Sequence, residues 1–80
     1  MNICKAVGMR ISNLLIQKNM TLYRLEQNSG ILHGTMMCIM TERNKNVTLK
    51  TIMQIANGFN MSLIEFLDDE IFTSGQISID

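Results

Sequence analysis

The feature that most constrains this chain is a pair of short amphipathic segments joined by a glycine-bearing turn. Thr21-Leu-Tyr-Arg-Leu-Glu-Gln-Asn-Ser-Gly30 runs directly into Ile31-Leu-His-Gly-Thr-Met-Met-Cys-Ile-Met40. Thr21 is a good helix N-cap, because its hydroxyl accepts from amides of the next turn. Leu22 and Leu25 fall on one face of the helix it opens, with Arg24 and Gln27 on the other. Gly30 stands where the backbone must take a positive φ to end that helix and turn sharply. So short a connection sets the next helix, 32–40, across the end of the first at a steep angle. Met36, Ile39 and Met40 are expected to face inward along it, with Ile31 packed at the turn.

The flanking segments complete a helical plan. Val7, Ile11, Leu14, Leu15 and the aliphatic stem of Lys18 recur at helical spacing, which predicts a first helix over 3–18 that Asn19-Met20 breaks. The polar run 41–47 reads as a loop. Thr48 caps a fourth helix with Leu49, Ile52, Ile55 and Ala56 inward, ended by Asn57-Gly58. Ser62-Leu-Ile-Glu65 is a capping-box pattern opening a fifth helix through Leu67. The expectation is an all-α, compact five-helix bundle occupying 1–72, with a tail, 73–80, that is disordered or a short strand. Ile71, Phe72, Ile77 and Ile79 lie beyond the five helices; folding back on the core, a dimer contact and fraying all fit them.

Eighty residues make one domain near the lower limit for an unaided hydrophobic core, and a 46% hydrophobic, proline-free composition suits compact helices. Six methionines (Met9, Met20, Met36, Met40, Met53 and Met61) read as core or near-core filler, whereas Met37 should be exposed. Seven basic and seven acidic residues cancel, which counts against a nucleic-acid partner, since such modules are usually basic. Cys4 and Cys38 have no CxxC or His-rich neighbourhood, so no metal site is expected. His33 is the sole histidine and no buried carboxylate pair is readable, so neither catalysis nor a cofactor or small-molecule ligand is expected. No signal peptide or membrane-length apolar run is visible, and the default setting is the reducing cytoplasm.

Taken in order, these pieces resemble the repressor-type helix-turn-helix domains of bacteriophages and bacteria, the XRE or Cro/C1-type family. The resemblance spans about 7–67 and rests on Thr21-Leu22 and Leu25, Gly30-Ile31, Ile39, Ile52 with Ile55-Ala56, and Met61-Ser62-Leu63 with Glu65-Phe66. It implies a sequence-specific binder of double-stranded DNA, acting as a homodimeric transcriptional regulator, chiefly a repressor, on a palindromic operator. Helix 32–40 would enter the major groove, with His33, Gly34, Thr35, Met37 and Cys38 facing the bases. Thr21 and Leu22 would hold a phosphate at the start of the preceding helix. Arg43, Asn44, Lys45 and Asn46 would lie beside the DNA backbone, and Lys50 would reach a phosphate from the next helix.

The chain departs from the family pattern at several points. Leu32 stands where Ser or Thr often opens the recognition helix, so a side-chain cap is missing. Glu26 replaces a typically small Ala. Leu15 and Met40 stand where the family often pairs an Arg with a Glu, so an apolar contact is expected there. Asp68, Asp69 and Glu70 put negative charge near the end of helix five, against the helix dipole, and are expected to face away from DNA. The groove-facing set is soft and offers few paired hydrogen bonds, which leaves more of the specificity to DNA shape. The same softness, with the neutral net charge, is what an interaction adaptor or antitoxin-like module on this fold would show. Cys38 reads as a small side chain that fits rather than as a redox switch, and Cys4 as a packing residue of the first helix.

Overall fold

The computed structural model describes residues 1–43 and 46–78. Its six helices are α1 (Ile3–Gln17), α2 (Leu22–Ser29), α3 (His33–Met40), α4 (Leu49–Gly58), α5 (Leu63–Leu67) and α6 (Glu70–Thr73). Five begin on the side-chain cap that the sequence advertises or on one of the same kind, α6 among them on Asp69. Asn2 accepts from the Lys5 amide, Thr21 from Arg24, Thr48 from Thr51, and Ser62 and Glu65 close a full capping box. α3 is the exception: Leu32 is its N-cap and makes no side-chain cap bond, so the helix starts one residue later than the pattern suggests.

Three helices stop by one device. After α1 the amide of Asn19 donates to Ile16 O and that of Met20 to Leu15 O. After α3 Glu42 and Arg43 donate to Ile39 O and Cys38 O, and after α4 Asn60 and Met61 donate to Asn57 O and Ala56 O. These paired bonds are Schellman closures that satisfy the last carbonyls, and each needs a left-handed residue. Here the residues are Asn19, Glu42 and Asn60, with φ of 52°, 59° and 60°. Gly30 plays the same conformational part after α2, with φ 75°.

Val7, Ile11 and Leu14 of α1, Leu25 of α2, Met36 and Ile39 of α3, Ile52, Ile55 and Ala56 of α4, and Phe66 of α5 form one buried cluster. Gly58 is the last residue of α4, where the sequence places the helix end, but the left-handed turn falls at Asn60, and Gly58 instead lets α4 close on α2. A Cβ there would lie 2.8 Å from Leu25 Cδ1 and 2.9 Å from Ser29 Cβ. Leu15 and Met40 are half-buried and pack against the core cluster. Met9 and Met53, expected at or near the core, are 40% and 49% exposed, and Leu49 is exposed as well. Met9 and Met53 are out of phase with the buried stripes of their helices, whereas Leu49 is in phase with Ile52 and Ala56 but is the first residue of α4, beyond the reach of the core.

The chain beyond α5 folds back. Asp69 caps α6 through the Ile71 amide, and the rings of Phe72 and Phe66 lie 6.1 Å apart. Farther on, the Met1 ammonium donates to Gln76 O at 3.0 Å and the Ser78 amide to Met1 O at 2.8 Å.

Candidate nucleic-acid interface

α2 and α3 form the two-helix corner, fixed by the left-handed Gly30 and by Ile31 buried at the joint. The first turn of α3 is its open end: His33, Gly34 and Thr35 are exposed, and Met36 turns into the core. Nothing lies within 4 Å of where a Cβ on Gly34 would stand, so the fold leaves bare backbone there. Met37, expected to be exposed, is half-buried, and so is Cys38. Met37 and Cys38 lie in the second turn, where the helix settles towards α1.

The His33 ring does not stand alone. Its Nδ1 lies 2.8 Å from Glu26 Oε2 on α2. The carboxylate side chain is 11% exposed and the imidazole 70%. Glu26, noticed in the sequence only as a departure from a small residue, therefore reaches across the turn to the open end of α3. The signal was there: seven residues separate it from the sole histidine, over a turn whose geometry was already expected.

At the start of α2 a shallow cavity of about 340 Å³ is lined by Lys18, Asn19, Met20, Thr21 and Arg24. Thr21 Oγ1 is committed to the cap, accepting from Arg24 N at 3.1 Å, and Leu22 is half-buried. The first amides of a helix have no intrahelical partner and suit an anion. Lys18 and Arg24, which sequence reasoning did not assign to the site, add two cations around that helix start. Arg43 follows α3 directly; its amide closes the helix on Cys38 O while its side chain is exposed. Asn46 and Lys50 are exposed, Lys50 in the first turn of α4. Asn44 and Lys45 lie outside the described residues.

Although the charges sum to zero, they are unevenly placed. Glu65, Asp68, Asp69 and Glu70 cluster in α5, its connection to α6 and the start of α6, whereas Lys18, Arg24, Arg43 and Lys50 lie in or beside α2 and α3, where Glu26 and Glu42 are the acids. Asp69 is also paired with Arg10 at 3.1 Å, so that cluster is partly structural. Cys4 is fully buried; its thiol is 3.7 Å from Ile39 O and is pushed up from its ordinary pKa chiefly by burial, then by the charges of Glu42 and Cys38. It is a packing residue that holds α1 to α3. No group of three or more His, Cys, Asp or Glu able to hold a metal occurs among the described residues.

A short helix set across the end of another, its first turn open and cations on both sides, defines a helix-turn-helix domain. Comparison with known families agrees: the Cro/C1-type HTH DNA-binding domain matches residues 10–70, and this chain belongs to that family. No curated protein and no solved structure gives a match. None of the described helices is long and apolar enough to cross a membrane.

Proposed function

We propose that this chain is a transcriptional repressor that occupies operator DNA as a homodimer in the cytoplasm, its two copies of α3 in successive major grooves about 34 Å apart. The observation that carries the reading is the open first turn of α3, His33-Gly34-Thr35, flanked by Lys18 and Arg24 before it and Arg43 after it. His33 and Thr35 supply the polar atoms for base edges, and Gly34 lets the helix backbone approach closely. Met37 and Cys38 take the edge of the groove. Thr21, Leu22, Arg43, Asn44, Lys45, Asn46 and Lys50 hold phosphates, which supply much of the affinity and make it salt-sensitive. No catalytic step is proposed.

The adaptor reading keeps one observation of its own: Leu32, exposed beside His33, is an apolar side chain at the tip of the corner. Selection from randomised duplex DNA at low and physiological salt separates the two. An enriched palindrome establishes the dimeric operator-reading regulator. No enrichment by folded protein at either salt sinks it in favour of a protein partner.

A further inference from the structure

The contact between Glu26 and His33 decides what the imidazole offers to a ligand. An ionised carboxylate has acceptors only, so a 2.8 Å contact with Nδ1 places the ring's proton on that nitrogen. In the neutral ring the other nitrogen, Nε2, is then an acceptor. The carboxylate is nearly enclosed on α2 whereas the ring is largely open, so the contact can orient the ring without obstructing it.

We infer that Glu26 is a specificity-determining positioning residue, which holds His33 as the Nδ1–H tautomer and presents Nε2 to the groove as a hydrogen-bond acceptor. The base edge that matches is one with an exocyclic amine, cytosine N4 or adenine N6. Guanine offers only acceptors in the major groove and is refused at the contacted position. This assignment rests on the reading of α3 as the groove helix. Without Glu26 the ring is free to carry its proton on Nε2, and guanine becomes acceptable.

The chain has a single histidine, so a long-range proton–nitrogen correlation spectrum of the full chain shows one imidazole without assignment. Expected is a protonated Nδ1 with an unprotonated Nε2, shifting in Glu26→Ala towards the Nε2–H form that imidazole side chains favour in water. In parallel, parent, Glu26→Ala and His33→Ala chains are carried through selection on randomised duplexes. The parent should favour cytosine or adenine over guanine roughly tenfold at one position in each half-site; Glu26→Ala should reduce this to about twofold, and His33→Ala should erase it. Thermal melts verify folding, and Glu26→Met, of similar length and without an oxygen or nitrogen to accept from Nδ1–H, replaces the alanine variant if that fails to fold. An Nε2–H or doubly protonated ring in the parent at the binding pH overturns the assignment, as does enrichment of guanine. If the tautomer is as stated and no duplex is enriched, the DNA reading fails and the specificity claim with it, while the tautomer result stands.

Discussion

Arg10 Nη1 lies 3.1 Å from Asp69 Oδ2, and the same guanidinium donates through Nε to Phe66 O at 2.8 Å and through Nη2 to Glu65 O at 3.0 Å. It also stands 5.8 Å from the centre of the Phe66 ring. α5 has only five residues, so its last carbonyls have little helix from which to draw partners. Arg10 supplies them from α1, and Asp69 both balances the charge and caps α6. One buried side chain thus joins three helices.

Arg10→Ala should therefore be severe. It takes the side-chain donor from Phe66 O and Asp69 Oδ2 and one of two donors from Glu65 O, a loss of about 3 kcal/mol or more, against a total of roughly 4–12 kcal/mol for a domain of this size. Chemical denaturation should show the midpoint collapsing, with Arg10→Lys intermediate because an ammonium cannot reproduce the fork. A loss under about 0.5 kcal/mol would contradict the clamp.

Gly34→Ala should separate stability from binding. The added methyl meets nothing within 4 Å, and replacing a helical glycine is worth up to about 1 kcal/mol. Thermal melting should rise, while affinity for selected DNA falls because the methyl stands between backbone and bases. Unchanged affinity would remove Gly34 from the contact surface.

Gly58→Ala should act in the opposite sense on the fold. Its Cβ would collide with Leu25 Cδ1 and Ser29 Cβ, and overpacking of this kind costs about 1–3 kcal/mol. Equilibrium unfolding reads it directly; a neutral result would mean that α2 and α4 can part at little cost.

Glu65 predicts a pH signature. Its carboxyl is held below the ordinary 4.5, first by the backbone amide of Ser62 and then by that residue's hydroxyl. A lowered folded-state pKa contributes stability that is complete above the ordinary value and disappears as pH falls through the lowered one. Glu65→Gln should thus melt below the parent at neutral pH, and the gap should close in acid below 4.5. A gap independent of pH would mean that the carboxylate's charge plays no part in the cap.

Arg24→Ala and Arg43→Ala should each weaken binding to every sequence alike and reduce the slope of log affinity against log salt by about 0.9. Titrations at four salt concentrations suffice. A change in base preference instead would make these residues readers rather than anchors.

The first five helices were legible for local reasons: Thr21, Thr48 and the Ser62–Glu65 box start α2, α4 and α5 where the sequence says they should, α1 shows in its apolar spacing, and uncapped α3 shows in the Gly30 turn before it. α6 was not, since its four residues have no periodicity and depend on Phe72 finding Phe66. Arg10 was legible in principle. It lies on the stripe of Val7, Ile11 and Leu14, and a cation on an apolar stripe demands a buried partner, but the identity of that partner is a tertiary fact. In the candidate interface, sequence reading found the open turn of α3 and the exposed Arg43, Asn46 and Lys50. It passed over Glu26, Lys18 and Arg24, whose places depend on how α2 meets its neighbours.

The close approach at Gly58 has a mechanical consequence. With α4 seated directly against Leu25 and Ser29, the cationic start of α2 and Lys50 at the start of α4 are carried on one stiff frame. On a duplex such a frame would act as a caliper of fixed opening. It would grip only where the spacing of the phosphates suits it, and so respond to the width of the groove before any base is touched.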